Sequence, residues 1–262
     1  MAEGDSIRRL AERLREAFAG TAVTARTPGP RRPHGLSAAE LDGRILTATE
    51  SRGKHLLLRF EGGLVLHSHL GMRGSWHLYR RGERWRRPSA RAWIALANER
   101  SEAVNFDGSS LRVVRAAQLA RDPRLARLGP DLLAPDFSPE RGAEALRQAG
   151  ATTTLGEALL DQSAVAGIGN IFKSEGCFAA AADPWQPLSE IGDEELRLVL
   201  AETRALMSAA VRTGRQPQSV YHRGGRPCPR CGSPIRSRAQ GDDARRTYWC
   251  AACQGRGRDN RH

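Results

Sequence analysis

The spacing of apolar residues near the N-terminus predicts an amphipathic helix over residues 5–18. Apolar side chains recur at intervals of three and four residues, which places them on one face of a helix. They are Ile7, Leu10, Ala11, Leu14 and Phe18. Asp5 precedes the first of them, where a carboxylate can accept the free N–H groups of the first turn. We therefore expect Asp5 to be the N-cap.

Between Arg44 and Arg115 the pattern changes to short apolar or alternating runs, which are typical of β-strands. The runs are RILTATE, KHLLLRF, LVLHSHL, SWHLYR, AWIALA, AVNF and LRVVR. Turn signals such as Glu61-Gly62-Gly63 and Asp107-Gly108 separate them. The pattern predicts a β-sandwich or barrel.

Helical patterns dominate the second half of the chain. Residues 122–139 are rich in Pro and Asp and predict a linker with at most a short helix. Thr154-Leu155-Gly156-Glu157 has the form of a capping box. A long helix is predicted from about Asp193 to Arg212, ahead of Gly214.

Composition excludes several protein classes. The 262 residues are 40% hydrophobic, enough for one large or two ordinary cores. No apolar run approaches the roughly 18 residues of a membrane span, and the first residues lack the apolar stretch of a signal peptide. We expect an intracellular protein with reduced cysteines.

The charge points to a polyanionic partner. The formal charge is +12, and the basic residues are almost all arginine, since Lys54 and Lys173 are the two lysines. Residues 212–262 hold twelve arginines against three aspartates. A concentrated basic segment is the electrostatic footprint expected for a nucleic-acid-binding protein, although arginine enrichment alone also results from a GC-rich genome.

Four cysteines near the C-terminus have the spacing of a zinc site. They form two CxxC pairs separated by eighteen residues: Cys228, Cys231, Cys250 and Cys253. Four thiolates can surround Zn²⁺ tetrahedrally and leave no open position, so such a metal would be structural. Two disulfides or a redox-active CxxC are the alternatives. Cys177 lies in an apolar helical stretch, and we expect it to be a packed core thiol.

A glycine-rich turn precedes a predicted helix in the sequence DQSAVAGIGNIFKSEGCF. Gly167 and Gly169 allow a tight turn, and Asn170 stands where the helix should begin. Free backbone N–H groups at a helix N-terminus suit a phosphate oxygen. Taken alone, the pattern fits close packing of two helices through glycine better.

The N-terminus offers a nucleophile. A small residue after Met1 normally permits removal of the methionine, which would expose the amine of Ala2. Such an amine has an ordinary pKa of about 7.7–8.0 against about 10.4 for lysine, so far more of it is neutral at neutral pH. Glu3 beside it could donate a proton. The plain alternative is a frayed terminus, just as Lys54 could be an ordinary strand lysine.

Together, these segments resemble one family. MAEGDSI, GKHLLL, HLGMRGSW, LDQSAVAGIGNIFKSE, VYHRGGRPCPRCGSPI and YWCAACQ follow the order found in the formamidopyrimidine-DNA glycosylase/endonuclease VIII family of repair enzymes. The resemblance covers nearly the whole chain. It implies an α+β fold with an N-terminal β-sandwich flanked by helices, a helix-two-turns-helix domain and a zinc-finger β-hairpin, with DNA bound in the cleft between the domains.

The corresponding domain boundaries follow from the same resemblance. They are 2–125 for the catalytic sandwich, 126–150 for a linker and the start of the helical domain, 151–220 for the helix-two-turns-helix domain, and 221–262 for the zinc-finger hairpin. The implied partner is damaged DNA and the implied cofactor is one structural Zn²⁺. We expect a bacterial, cytoplasmic, nucleoid-associated monomer.

The resemblance also implies site residues for a bifunctional mechanism. The N-terminal amine attacks C1′ of the damaged nucleotide, the base leaves, and the Schiff base drives β- and δ-elimination. The implied catalytic residues are Ala2 as nucleophile, Glu3 as acid/base, Lys54 as the cation beside phosphate and sugar, and Arg245 of the hairpin. The implied DNA-binding residues are Asn170, Gly169, Lys173, and the gap-filling Met72 and Arg73. Such a loop is required because an enzyme acting on a base must flip it out of the stack.

Three departures from the family pattern bear on the activity. Ala2 replaces the usual proline, and its primary amine gives an aldimine that must be protonated. Ser6 replaces a second glutamate. The stretch VNFDGSSLRVV lacks the Arg and Phe of the purine-directed branch, which favours endonuclease VIII and oxidised pyrimidines.

The alternative function is a non-catalytic or weakly catalytic damaged-DNA-binding protein of the same fold. Glu3 and Lys54 favour the enzyme. The arginine-rich segment 80–91 is predicted only to contact phosphate or to form a solvated surface.

Overall fold

The computed structural model describes residues 2–31, 33, 35–242 and 244–255. It divides into two compact units, Met1–Ala126 and Arg127–His262. No described helix is both long enough and apolar enough to cross a membrane.

The first unit contains helices and two four-stranded antiparallel sheets. Its helices are α1 (Gly4–Phe18), α2 (Ala116–Leu119) and α3 (Pro123–Ala126). Its strands are β1 (Thr24–Arg26), β2 (Leu46–Arg52), β3 (His55–Phe60), β4 (Leu64–His69), β5 (Ser75–Arg80), β6 (Ala92–Ala97), β7 (Ser101–Phe106) and β8 (Ser110–Arg115). One sheet has the order β1-β6-β7-β5 and the other β2-β3-β4-β8. The predicted sandwich is therefore present, with β1 added as a short edge strand.

Alternation along the strands builds the core between α1 and the sheets. Leu56 and Leu58 of β3 and Leu66 of β4 face the α1 side chains Ile7 and Leu14. The intervening residues of β3 and β4 point to the opposite face, because successive side chains of a strand alternate.

Hydrogen bonds fix the direction of α1 along the sandwich. The Thr49 hydroxyl donates to the Ala11 carbonyl at 2.7 Å, and the Gly20 amide donates to the Leu46 carbonyl at 2.9 Å. Since β2 runs from Leu46 to Arg52, the C-terminal end of α1 lies at the start of β2. The N-terminal end of α1 therefore lies toward Arg52.

Several turns of the first unit meet at that end. Arg52 pairs with His55, His55 with His69, and His69 with Ser110. We call this region, comprising the N-terminus of α1 and residues 53–54, 70–74 and 107–109, the turn end. It brings together positions that are far apart in the sequence.

The predicted N-cap of α1 is wrong by two residues. The cap is Glu3, with φ −118° and ψ 177°, and its N–H donates to Ser6 Oγ at 3.1 Å. Asp5 lies within the first turn and is buried. A carboxylate in the first turn still interacts favourably with the positive end of the helix dipole.

The second unit is helical and ends in a hairpin. Its helices are α4 (Pro139–Arg147), α5 (Leu155–Ala158), α6 (Asn170–Ala179), α7 (Asp193–Thr213) and α8 (Ala251–Gln254), and its strands are β9 (Arg236–Gln240) and β10 (Arg245–Trp249). The predicted capping box opens α5, where the Thr154 N–H donates to Glu157 Oε2 at 3.1 Å. Helix α7 ends at Gly214, whose φ of 69° is left-handed.

Candidate active site and nucleic-acid interface

The N-terminal residues of the first unit lie at the turn end. Ala2 is half-buried and packs against the sandwich core, while Glu3 is fully buried. Met1 lies outside the described residues. The buried carboxyl group of Glu3 is therefore held one residue away from the backbone nitrogen that removal of Met1 would expose.

Ser6 helps to set the start of α1. Its hydroxyl accepts from the Glu3 N–H and donates to the Glu3 carbonyl at 2.8 Å. These two hydrogen bonds fix the backbone of Glu3. Asp5, which is 4% exposed, keeps a second carboxyl group in the same helical turn.

Lys54 lies at the same end of the sandwich. It follows Gly53 in the turn between β2 and β3, where Gly53 has φ 55°. Burial, followed by the positive charges of Lys54 and Arg124, lowers the pKa of His69. The lysine therefore shares its surroundings with a histidine of β4.

Met72 and Arg73 form the tip of a tight turn between β4 and β5. The Gly74 N–H donates to the Leu70 carbonyl at 3.1 Å, and the Met72 side chain is 67% exposed. Arg73 is exposed as well. A large apolar side chain presented in this way suits insertion into a base stack.

The turn that carries Met72 is braced by its neighbour. A Cβ at Gly74 would lie 2.6 Å from Gly108 Cα and 2.5 Å from the Leu70 carbonyl oxygen. A Cβ at Gly71 would lie 2.8 Å from Ser109 Cβ. Glycine at 74 lets the backbones of the turns at 70–74 and 107–109 approach each other, and glycine at 71 leaves room for the Ser109 side chain.

The arginine-rich segment is anchored to the first sheet. It connects β5 to β6, and the Trp85 indole N–H donates to Glu102 Oε2 at 2.8 Å. The Trp85 ring also meets the Phe106 ring edge-on at 5.9 Å. The segment is therefore more than a solvated surface, although nothing in its local pattern indicates these contacts.

Two arginines of this segment reach the turn at 107–109. Arg91 contacts Asp107 Oδ2 at 2.5 Å and Arg87 contacts it at 3.5 Å. Asp107 has a left-handed φ of 49°, which is uncommon for a residue other than glycine. The ion pairs help to hold this turn beside the one that carries Met72.

In the second unit, Gln162 holds the glycine-rich turn. Its Oε1 accepts from the Gly167 N–H at 3.1 Å, and its Nε2 donates to the carbonyls of Leu160 and Ile168 at 2.8 and 3.0 Å. Gly167 has φ 103°. Sequence reasoning missed Gln162, because it lies between the polar residues Asp161 and Ser163 and nothing in that local pattern marks it as buried or structural.

Gly169 and Asn170 begin α6 as the sequence predicts. Gly169 is the N-cap and Asn170 the first helical residue. The Asn170 amide donates one N–H to the Arg246 carbonyl at 2.9 Å. Asn170 thus connects the helix start to the hairpin that carries Arg245.

The structure does not place Lys173 on a DNA-binding surface, which corrects our prediction. Its side chain is fully buried, and Nζ donates to Thr247 Oγ1 at 2.5 Å. Thr247 in turn donates to Gln240 Oε1 at 2.5 Å. Through Thr247 and Gln240, Lys173 connects α6 to both hairpin strands. Nearly all residues of α6 are buried, so this lysine has no route to the surface.

Glu175 is a second buried anchor that sequence reasoning missed. Its carboxylate accepts N–H bonds from Ser219, Val220 and Tyr221 at 2.7–2.9 Å. Hydrogen bonds to a charged group are stronger than neutral ones. Glu175 thereby fixes the segment that leads from α7 to the hairpin.

The four predicted ligands of the metal site come together. Their Sγ atoms all lie within 4.8 Å of one another, with Cys228 and Cys253 at 3.8 Å and Cys231 and Cys250 at 3.5 Å. A tetrahedral zinc with Zn–S bonds of about 2.3 Å requires sulfur atoms about 3.8 Å apart. The cluster therefore fits Zn²⁺, and its cysteines are not joined as disulfides.

Cys177 is separate from that cluster. It is fully buried, and burial raises the pKa of its thiol to about 12. It is the packed core thiol that its sequence context predicts.

Family models match both units. The N-terminal domain of formamidopyrimidine-DNA glycosylase matches residues 1–120, and the H2TH domain of that glycosylase matches residues 128–221. Together they cover most of the chain.

Individual proteins match over the same length. A probable endonuclease 8 2 of Streptomyces coelicolor is 41% identical, over 97% of this chain and 94% of the relative. A DNA-(apurinic or apyrimidinic site) lyase of Mycolicibacterium smegmatis is 34% identical, over 97% and 99%. The crystal structure of the MutM (Fpg) protein of Thermus thermophilus matches with a TM-score of 0.79 and 30% identity, over 97% of this chain and 99% of that one.

Proposed function

The chain belongs to the formamidopyrimidine-DNA glycosylase/endonuclease VIII family, and we propose that it is a bifunctional DNA glycosylase and AP lyase that removes oxidised bases. The observation that carries this proposal is the turn end of the first unit. There Ala2, a buried Glu3, Lys54 and the exposed Met72 belong to one end of one sandwich. The similarity to relatives named as an endonuclease and a lyase favours catalysis over binding alone.

The first step is attack by the Ala2 amine on C1′ of the damaged nucleotide. The new C–N bond displaces the base, which leaves with the electrons of the glycosidic bond and takes up a proton. Glu3 supplies a proton to the ring oxygen of the sugar as the ring opens. The product is an aldimine between Ala2 and C1′, and its protonation makes it an electron sink.

Strand cleavage follows from that electron sink. When C2′ loses a proton, the electrons of that C–H bond form a C2′=C3′ double bond and the C3′–O bond breaks. A second elimination then breaks the C5′–O bond. Each departing group is a phosphate, so a cation beside it lowers the barrier. Lys54 supplies that cation.

We assign DNA binding to residues of both units. Met72 and Arg73 fill the gap left by the flipped nucleotide. In the second unit, the backbone N–H groups at Gly169 and the start of α6, the second N–H of the Asn170 amide, and Arg245 bind phosphate.

One Zn²⁺ belongs in the Cys228, Cys231, Cys250 and Cys253 cluster. Four thiolates complete its coordination, so the ion would brace the hairpin and take no part in the chemistry.

Oxidised pyrimidines are the proposed substrates. The turn between β7 and β8 is confined to residues 107–109 and lacks the Arg and Phe of the purine-directed branch. Duplexes carrying thymine glycol should therefore be cleaved faster than duplexes carrying 8-oxoguanine, and the reverse order would overturn this preference.

We also propose that the enzyme works as a monomer in the bacterial cytoplasm, at the nucleoid. Large hydrophobic side chains that are exposed in the described residues are few: Ile45, Met72 and Leu198. Such scattered residues do not form the contiguous apolar patch that marks an obligate interface.

Borohydride trapping tests the mechanism. The protein is incubated with borohydride and duplex DNA carrying an abasic site, and the adduct is mapped by mass spectrometry. We expect a reduced covalent adduct on Ala2. The absence of an adduct would overturn the lyase assignment, and an adduct on Lys54 would overturn the choice of nucleophile.

A blocked N-terminus is the matched control. A form with an uncleaved N-terminal tag keeps every side chain but offers no amine at Ala2. It should bind the abasic duplex without being trapped.

A further inference from the structure

Three histidines of β3 and β4 lie beside the turn end, on the face of the sheet opposite the α1 core. Leu56, Leu58 and Leu66 point into the core, so His55, His67 and His69 point the other way. The His55 ring lies 5.0 Å from the His67 ring and 4.7 Å from the His69 ring. His55 directly follows Lys54.

Hydrogen bonds fix the proton positions in two of these rings. Arg112 Nε and Nη2 lie 3.2 and 3.0 Å from His67 Nδ1, and a guanidinium can only donate. His67 Nδ1 is therefore an acceptor, and the ring proton of His67 lies on Nε2. His67 Nε2 lies 2.8 Å from His55 Nδ1, so it donates there and leaves the proton of His55 on Nε2.

Arg112 is itself held in place by a carboxylate. Arg112 pairs with the buried Asp122, whose Oδ1 also accepts from the Arg124 N–H at 2.9 Å. The network therefore runs from Asp122 through Arg112 and His67 to His55. At its far end it presents one N–H in a fixed tautomer, and no described residue accepts from His55 Nε2.

The surroundings keep both rings neutral. Burial, His69 and His67, and then Arg112 and Arg124, lower the pKa of His55 to about 3. Burial and then Arg112, with smaller effects of His69 and Arg124, lower the pKa of His67 to about 4. Two further charged groups act on this network: Lys54 lowers the pKa of His69, and Asp122 is paired with Arg112.

We propose that His55 donates its Nε2–H to a phosphate oxygen of the damaged strand, with His67, Arg112 and Asp122 as positioning residues that lock this donor. The inference rests on the proposed function, since it places the strand beside Lys54. A phosphate suits the site because its oxygens only accept hydrogen bonds and because Lys54 and Arg124 keep the surroundings positive, while Asp122 offsets the charge of Arg112. His55 would add direction to the contact without adding charge.

Salt dependence distinguishes a neutral donor from a cation. Binding to a duplex with a tetrahydrofuran abasic site is measured by fluorescence anisotropy over a range of salt concentrations. We expect H55L to bind about tenfold more weakly with the slope of log Kd against log salt unchanged, and H55Q, which retains an N–H donor, to recover most of the affinity. K54A, the adjacent cation control, should reduce the slope by about one.

Two outcomes of the binding measurement would overturn the role of His55. H55L binding as tightly as the wild type would show that the donor makes no contact. A slope reduced by about one in H55L would show that His55 binds as a cation. Amide exchange of each variant establishes that the sandwich is folded.

Histidine ring NMR tests the lock in the free protein, whatever the enzymatic activity. At pH 6 we expect His55, assigned by comparison with H55Q, to be neutral with its proton on Nε2. In R112L the ring protons of His67 and His55 should no longer be confined to Nε2, and the pKa of His55 should rise. R112K keeps a donor to His67 and should restore the wild-type spectrum. An unchanged spectrum in R112L would overturn the positioning role, whereas failure of borohydride trapping alone would overturn only the lyase assignment.

Discussion

The turn end of the first unit and the junction between α6 and the hairpin in the second unit use polar residues in opposite ways. At the turn end and the strand end beside it, Met72 is exposed and Lys54 and His55 are half-buried. At the junction, Asn170, Lys173 and Glu175 are buried, with hydrogen bonds to β10 or the segment before the hairpin. A charged residue in the segment that we propose binds DNA can therefore be part of the scaffold.

Removal of the metal site should produce the largest difference between the two regions. C250S should unfold the hairpin, because structural zinc contributes on the order of 10 kcal/mol in small zinc-finger domains, while the sandwich remains folded. Hydrogen exchange of the two units and zinc content measure this. C177S, the control, should keep one zinc per chain, and an intact hairpin in metal-free C250S would contradict the prediction.

Acid should weaken the first unit through its histidines. The pKa of His67 falls from 6.5 to about 4 on folding, so the unfolded chain binds more protons between these values. Stability is full above pH 6.5 and is lost as the pH falls toward 4, by at most about 3 kcal/mol for this one group. Amide exchange across the sandwich should show this loss and H67Q should flatten it; an equally steep loss in H67Q would contradict the assignment.

Substitution of Lys173 should affect the scaffold. K173M removes the donor to Thr247 and should destabilise the hairpin by about 1–3 kcal/mol, as measured by hydrogen exchange of β9 and β10. The salt slope of DNA binding should not change. A slope reduced by about one with an intact hairpin would restore Lys173 to the DNA contacts.

Substitution of Arg245 should change DNA binding and leave the stability of the hairpin unchanged, the reverse of the expectation for Lys173, and its effect should be smaller. R245A should leave the hairpin folded, weaken binding to all duplexes similarly, and reduce the salt slope by about one, because a phosphate contact releases counterions. The same titrations measure this. An unchanged slope would show that Arg245 does not touch phosphate.

The sequence predicted those features that local patterns control. Alternation in β3 and β4 and the apolar spacing of α1 predicted the sandwich and its core, and the cysteine spacing predicted the cluster. The three-residue strand β1 was missed because so short a segment has no periodicity. The N-cap was misplaced because Asp5 and Glu3 both offer a carboxylate, and only the backbone at Glu3 is extended.

Contacts between distant positions could not be predicted. Lys173 bonds to Thr247 and Trp85 to Glu102, and nothing in either local sequence identifies the partner. The direction of the His67 and His55 protons depends on Arg112, 45 residues from His67. Such bonds arise from tertiary packing, which local patterns do not encode.

The glycine contact between the turns at 70–74 and 107–109 has a consequence for how the tip at Met72 meets DNA. Because backbone packs on backbone there, the tip that presents Met72 takes its shape when the chain folds, before any encounter with DNA. The conformational entropy of ordering that tip is then already lost. In the role that we propose for Met72, insertion into the base stack would therefore require little further ordering of the tip.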